Sequence, residues 1–146
     1  MSNTYFLASQ SNDKILAKGY NSAGNEMPYF ATTFMKGVGG LSSSTSDLLK
    51  FITLQLETTK KAINLSHLKT FHAGWCDIGL TWQIYKHDNG NRQFWADGGT
   101  YGFVSYVIFY PEINSGIVIL TNESDPSTSD RISDIADSIF NFISKK

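Results

Sequence analysis

From Phe103 to Tyr110 the chain reads FVSYVIFY, a run in which Ser105 is the single interruption of apolar and aromatic residues. Both alternating sets are suited to burial: Phe103, Ser105, Val107 and Phe109 on one, Val104, Tyr106, Ile108 and Tyr110 on the other. Neighbours along a strand point to opposite faces, so a strand of this kind must be covered on both sides. Pro111 to Gly116 then supplies a turn, because proline cannot donate to a ladder and Asn, Ser and Gly suit turn dihedrals. Ile117 to Thr121 (IVILT) returns as a second buried strand. Just ahead of the hairpin lies Asp97-Gly98-Gly99-Thr100-Tyr101-Gly102. Glycine adds no Cβ, so this backbone can come close to a ligand, to a neighbouring strand or to a kink, and the glycines leave all three open.

The remaining segments supply helices around such a sheet. Ile15–Tyr20 and Glu26–Phe30 read as short extended segments flanking the turn-rich stretch from Asn21 to Asn25. Ser44 followed by Asp47 fits a capping box. Behind it Leu48, Leu49, Phe51, Ile52 and Leu56 keep helical spacing to about Glu57. Lys60–Phe71 is predicted as a second, shorter helix carrying Ile63, Leu65, Leu68 and Phe71. Gly79–Lys86 is predicted as a strand, and Asp88–Asn91 as the turn into a strand at Arg92–Trp95. After a polar loop at Asn122–Ser129, the last helix spans roughly Asp130–Ser144. Ile132, Ile135, Ala136, Ile139, Phe140 and Ile143 form its apolar stripe. Its aspartates lie toward the positive end and Lys145 and Lys146 follow the negative end, as the macrodipole favours. The expected core is Val107, Ile108, Phe109, Val118 and Leu120, with Ile135, Ile139 and Phe140 packed over one face. The fold class is therefore α+β, an antiparallel sheet with a C-terminal helix and a helical segment.

A chain of 146 residues with 41% hydrophobic content fits one globular domain over residues 1–146. The formal net charge is −1 and the 12 basic residues are scattered, so no stripe exists to neutralise nucleic-acid phosphates. No run reaches the length of a membrane span. The start, MSNTYFLASQ, lacks the basic and apolar regions of a secretory signal. Cys76 is the single cysteine, which excludes an internal disulfide.

Read without a family, the chemistry-bearing residues are few. His72 and Cys76 are four apart, with His67 and Asp77 nearby. Three or four ligands at metal-site spacing are absent, and a loop with one buried thiol is the plainer reading. Ser11–Lys14 and Ser66–Lys69 match Ser-x-x-Lys, which on a helix places an amine one turn from a nucleophile. A turn serine and a helix N-cap are the plainer readings of Ser11 and Ser66. Asn64 and Asn122 each begin an Asn-x-Ser acceptor, relevant only in a eukaryotic secretory setting. No cofactor is expected.

The stretch Gly39-Gly40-Leu41-Ser42-Ser43-Ser44-Thr45-Ser46-Asp47-Leu48 resembles the GGLxSTxxDLxxF segment of serine β-lactamases and related penicillin-binding proteins and esterases. Gly79-Leu80-Thr81-Trp82 is similar to their GLGW. Phe94 to Asn122 is similar to their strand-turn-strand, in which a Lys-Thr-Gly or His-x-Gly triplet precedes x-T-x-G-F, a strand, Pro-Glu and a second strand ending in Asn. The order is preserved over nearly the whole chain. The likeness is nearest to the class C β-lactamase and D-alanyl-D-alanine peptidase group, in its C-terminal portion.

The resemblance implies a nucleophilic serine, its lysine and a Tyr-x-Asn lying upstream of this segment; no Tyr-x-Asn occurs here. At the triplet it sets Gly98 on the family glycine, Asp97 on the threonine or variable residue, and Ala96 on the lysine or histidine. A one-residue slip would put Trp95 there instead. The Gly99 amide corresponds to the strand donor of the oxyanion hole, whose other donor is the serine's own amide. The implied substrate-binding residues are Ala96, Asp97, Gly98, Gly99, Thr100 and Asn122, with no catalytic residue and no metal in this chain. The implied partner is a small-molecule or peptide acyl substrate once upstream sequence completes the site. A full-length relative is expected to be periplasmic or secreted. Two functions follow: the C-terminal portion of a serine β-lactamase-like hydrolase, incomplete alone, or a binding module that kept the fold and lost the chemistry, which Ala96 favours. Sheet surface left uncovered in this segment would favour a homodimer.

Overall fold

The computed structural model describes residues 1–6, 16–30, 35–57 and 59–144. In chain order these carry strands β1 (Tyr5–Phe6), β2 (Gly19–Asn21), β3 (Glu26–Met27) and β4 (Leu41–Ser42), then helices α1 (Thr45–Leu56) and α2 (Lys61–Ser66). Strands β5 (Phe71–His72), β6 (Asp77–Ile78), β7 (Gln83–Lys86), β8 (Arg92–Thr100) and β9 (Phe103–Tyr110) follow. A 3₁₀ turn at Pro111–Ile113 leads to β10 (Ser115–Thr121), β11 (Glu123–Ser124) and helix α3 (Thr128–Ile143). The main sheet has six strands in the order β10-β9-β8-β7-β6-β5. A second sheet has the order β11-β2-β3, with β11 parallel to β2, and β1 pairs with β4 antiparallel. The α+β class is as the sequence indicates, with that one parallel pair added.

The described residues divide into two compact units. The first comprises Met1–Asp47, Asp97–Tyr106 and Ile119–Lys146, the second Leu48–Ala96 and Val107–Val118. In the second, the core is Ile52, Trp82, Ile84, Phe94 and Phe109, with Phe51, Leu56, Ala96, Val107 and Val118 packed against it. Phe94 and Phe109 stack with ring centroids 5.0 Å apart, and Trp82 meets Phe109 edge-on at 4.9 Å. Each such ring contributes about 1.5–3 kcal/mol through burial alone. Helix α1 comes close because Gly116 has no side chain: a Cβ there would meet Cγ2 of Ile52 at 2.4 Å.

In the first unit, polar contacts tie short strands together. Asp47 is buried in the first turn of α1, where its carboxylate accepts from the Asn3 amide at 2.7 Å and the Thr4 hydroxyl at 3.0 Å. The Ser44 hydroxyl accepts from the Asp47 amide at 3.3 Å, the capping contact that the sequence indicates. Gly102 ends the turn between β8 and β9 with φ +73°, and a Cβ there would lie 2.6 Å from Gly19 C and Tyr20 N. The close backbone approach at this glycine is thus to a neighbouring strand. Its amide donates to the Ser124 hydroxyl at 3.0 Å.

Several expected elements differ. Helix α2 stops at Ser66, and Phe71 lies in β5 opposite Ile78. No residue of α2 is buried and Phe71 is 64% exposed, so the i, i+3 pattern gains no packing to extend the helix. The Thr70 amide instead donates to Ile78 O at 2.7 Å and opens a hairpin. Gly79–Trp82 forms a turn closed by Gly79 N to Trp82 O at 2.8 Å, so β7 begins only at Gln83. Strand β10 ends the sheet order, and of its residues Ile117 is buried while Leu120 is 38% exposed. The polar loop at Asn122–Ser129 holds β11 and the start of α3. On α3 the buried residues are Thr128, Ile132, Ala136 and Phe140, every fourth position, whereas Ile135 is 50% and Ile139 38% exposed. The apolar stripe is wider than the contact line, and the small Ala136 marks its centre.

Candidate functional site

Strand β8 changes character along its length. Its last register pair with β7 is Gln83 with Trp95, and Ala96–Thr100 continue beyond it. On its other side, the stack of Phe94 on Phe109 and the Ser105 hydroxyl donating to Gly98 O at 3.3 Å place those residues opposite one another. In an antiparallel ladder alternate residues bond to one neighbour, so Asp97 and Gly99 direct their backbone groups to the edge away from β9. Asp97, Gly98 and Gly99 are exposed. The glycine stretch is therefore a strand edge and not a loop. Ala96 belongs to the second unit, half-buried against its core. Trp95, the alternative under a one-residue slip, is buried with its ring 5.7 Å from that of Trp75, so its side chain is committed to packing.

Within the first unit lies a pocket of about 430 Å³. Gly98 and Thr100 of β8, Phe103, Val104 and Ser105 of β9, and Leu120, Thr121 and Asn122 form one side. Leu16, Ala17, Tyr29, Phe30, Gly39 and Leu41–Ser43 form the other. Tyr29 and Phe103 stack at 6.2 Å. No atom lies within 4 Å of where a Cβ on Gly98 would be, so this residue leaves open room. Three of the nominated residues, Gly98, Thr100 and Asn122, meet here. Asn122 is also a pin: its side-chain amide donates to Lys18 O at 3.0 Å, and its carbonyl accepts from the Tyr20 amide at 2.9 Å. Tyr29 and Phe30 of the far wall follow no spacing that signals a site, so that part of the pocket was not legible in the sequence.

The other candidates are engaged elsewhere. The Ser66 hydroxyl donates to Ile63 O at 2.8 Å at the end of α2, not at its start as an N-cap would. Lys69 pairs with Asp77 at 2.7 Å, and His72 Nδ1 lies 2.7 Å from the same oxygen. Hydrogen bonds from Lys69 and then His72 hold the Asp77 carboxyl below its ordinary pKa. Cys76 is buried, and burial, followed by the nearby Asp77 charge, pushes its thiol up, away from a nucleophilic thiolate. His67 lies against Phe94 at 4.7 Å and reaches Gln55 Oε1 at 3.0 Å, and burial lowers its pKa. Ser11 and Lys14 lie outside the described residues. Among the described residues no group of three His, Cys, Asp or Glu is placed to hold a metal, and no helix is long and apolar enough to cross a membrane.

A profile of the beta-lactamase family matches residues 1–139. The chain belongs to the beta-lactamase family. Among curated members it is 23% identical to a beta-lactamase of Lysobacter lactamgenus, over 86% of this chain and 42% of that protein. Among solved structures it is similar to a beta-lactamase/D-alanine carboxypeptidase from Pseudomonas syringae, with a TM-score of 0.76 and 21% identity, over 90% of this chain and 46% of that one. An octameric penicillin-binding protein homologue from Pyrococcus abyssi gives a TM-score of 0.71 at 24% identity, over 85% and 31%. The chain spans less than half the length of these beta-lactamase relatives, which fits the portion indicated by its motif order. At such identities the structural likeness establishes the beta-lactamase-like fold.

Proposed function

We propose that this chain is the C-terminal part of a single serine β-lactamase-like hydrolase domain, acting on a β-lactam, peptide or ester acyl group, and that by itself it binds acyl compounds without turning them over. The observation that carries the reading is the exposed β8 edge at Asp97–Thr100 beside an open pocket, in a chain of this family. An edge with outward amides can donate to a carbonyl oxygen as it gains charge, which is the work of an oxyanion hole. In this proposal Gly99 supplies that amide, Gly98 leaves room for the acyl group, Thr100 and Asn122 border it, and Asp97 and Ala96 flank it along the strand. The Ser66 hydroxyl and the Lys69 ammonium each have other partners, so neither is offered as nucleophile or base.

Incubation with a chromogenic cephalosporin, a p-nitrophenyl ester and a fluorescent penicillin tests this. Neither hydrolysis above background nor covalent labelling is expected. Stoichiometric labelling that disappears in Ser66→Ala would overturn the assignment of Ser66. A second reading, a binding module without chemistry even when joined to upstream sequence, is favoured by Ala96, which offers neither charge nor a side-chain hydrogen bond where relatives are expected to carry lysine or histidine.

A further inference from the structure

We infer that the pocket of the first unit takes an uncharged, largely apolar acyl group and discriminates against ligands that place a carboxylate in it. This rests on the reading above and names the substrate class of that site. Every described residue lining the pocket is neutral. Its wall is built largely from Leu16, Tyr29, Phe30, Leu41, Phe103 and Leu120.

Three of the hydroxyls that interrupt this wall, those of Thr121, Ser105 and Ser43, already have partners. Thr121 accepts from the Val104 amide at 3.2 Å and donates to Glu123 O at 2.9 Å. Ser105 donates to Gly98 O, and Ser43 shares a 2.8 Å hydrogen bond with Thr4. A carboxylate entering here would lose its water and find no cation among the described residues of the wall, the circumstance in which burial of charge is most costly. Among the described residues Lys18 is a nearby candidate for a counter-charge, 5.8 Å from the centre of the Tyr29 ring. It is held by Glu26 at 2.6 Å, so the pair brings no net positive charge. Asp97, exposed on β8 and on the opposite strand face from Gly98, adds negative charge close by. An uncharged acyl chain or aromatic ring meets none of these penalties and gains contact with Phe103 and Tyr29.

The test uses the full chain and a matched pair of probes, N-phenylacetyl-glycine methyl ester and N-phenylacetyl-glycine, which differ in one carboxylate. Backbone amide shifts are followed during titration. The ester is expected to move the amides of Thr100, Ser105 and Leu120, and the acid to bind at least about tenfold more weakly. In Leu120→Lys, at a partly exposed wall position, the acid should gain at least about tenfold relative to the ester; Ser105→Lys serves if that variant does not fold. Equal or tighter binding of the acid at the same amides overturns the inference and leaves the acyl-binding reading standing. Failure of both probes to move these amides at millimolar concentration overturns both.

Discussion

The two compact units are built from different materials. In the second, large rings meet face to face and edge to face: Phe94 on Phe109, Trp82 against Phe109, and Phe51 against Trp82 at 6.0 Å. In the first, strands of two or three residues are joined by hydroxyl, carboxylate and backbone contacts, and a cavity of about 430 Å³ stays open among them. Close-packed rings resist opening because any gap forfeits many contacts at once. Short strands with exposed edges gain less from burial, and such regions are where binding surfaces are commonly carried. The pocket and the exposed stretch Asp97–Gly99 fall in the first unit, where ring contacts are the peripheral pairs Tyr29–Phe103 and Phe30–Tyr101, and the contiguous cluster of buried rings falls in the second.

Three measurements break or sharpen this contrast. Phe109→Ala removes a fully buried ring in contact with the rings of Trp82, Phe94 and His67, and a loss of about 3–5 kcal/mol is expected in denaturant unfolding. A loss below that of an ordinary surface change would mean that the second unit is not held by its rings. Gly102→Ala is next, at about 1–3 kcal/mol, because the residue has φ +73° and its new Cβ would meet backbone of β2 that cannot swing aside. Its thermal midpoint should fall, and an unchanged midpoint would show that this turn is free to move.

The smallest effects concern pH, and they separate the units by window. Burial lowers the His67 pKa in the second unit, so as pH falls the unfolded chain takes up the proton first. Its contribution is full above about pH 6.5 and declines as pH drops toward the folded value. Asp125 in the first unit is held at about 2, chiefly by hydrogen bonds from Ser127. Its contribution is full above about pH 4 and is lost as pH falls from there toward 2. Melting curves across pH should therefore flatten just below 6.5 in His67→Gln and only below 4 in Asp125→Asn. The same window for both variants would contradict the assignment.

Much of the architecture could be read from local pattern. The FVSYVIFY strand, the Pro111–Gly116 turn, the capped helix after Ser44 and the terminal helix all formed close to where periodicity and turn residues put them. These signals work because strand alternation, helix spacing and caps are properties of a few consecutive residues. The family motifs were legible for a related reason, since their order along the chain survives without coordinates.

What lay beyond the sequence depended on which surfaces meet. Leu65, Leu68 and Phe71 have helical spacing, but with no partner surface to bury them the segment became a short helix and a hairpin. Ile135 and Ile139 are as apolar as Ile132, and only the contact line through Ala136 decides which of them is covered. The pocket combines residues from Leu16 to Asn122, a separation across which no periodicity carries information. By itself the sequence determined the types of the principal elements, their order and the family. Tertiary packing decided which apolar faces were buried, where α2 ended, and that Gly98, Thr100 and Asn122 would stand beside Tyr29 and Phe30, because burial depends on a neighbour that may be a hundred residues away.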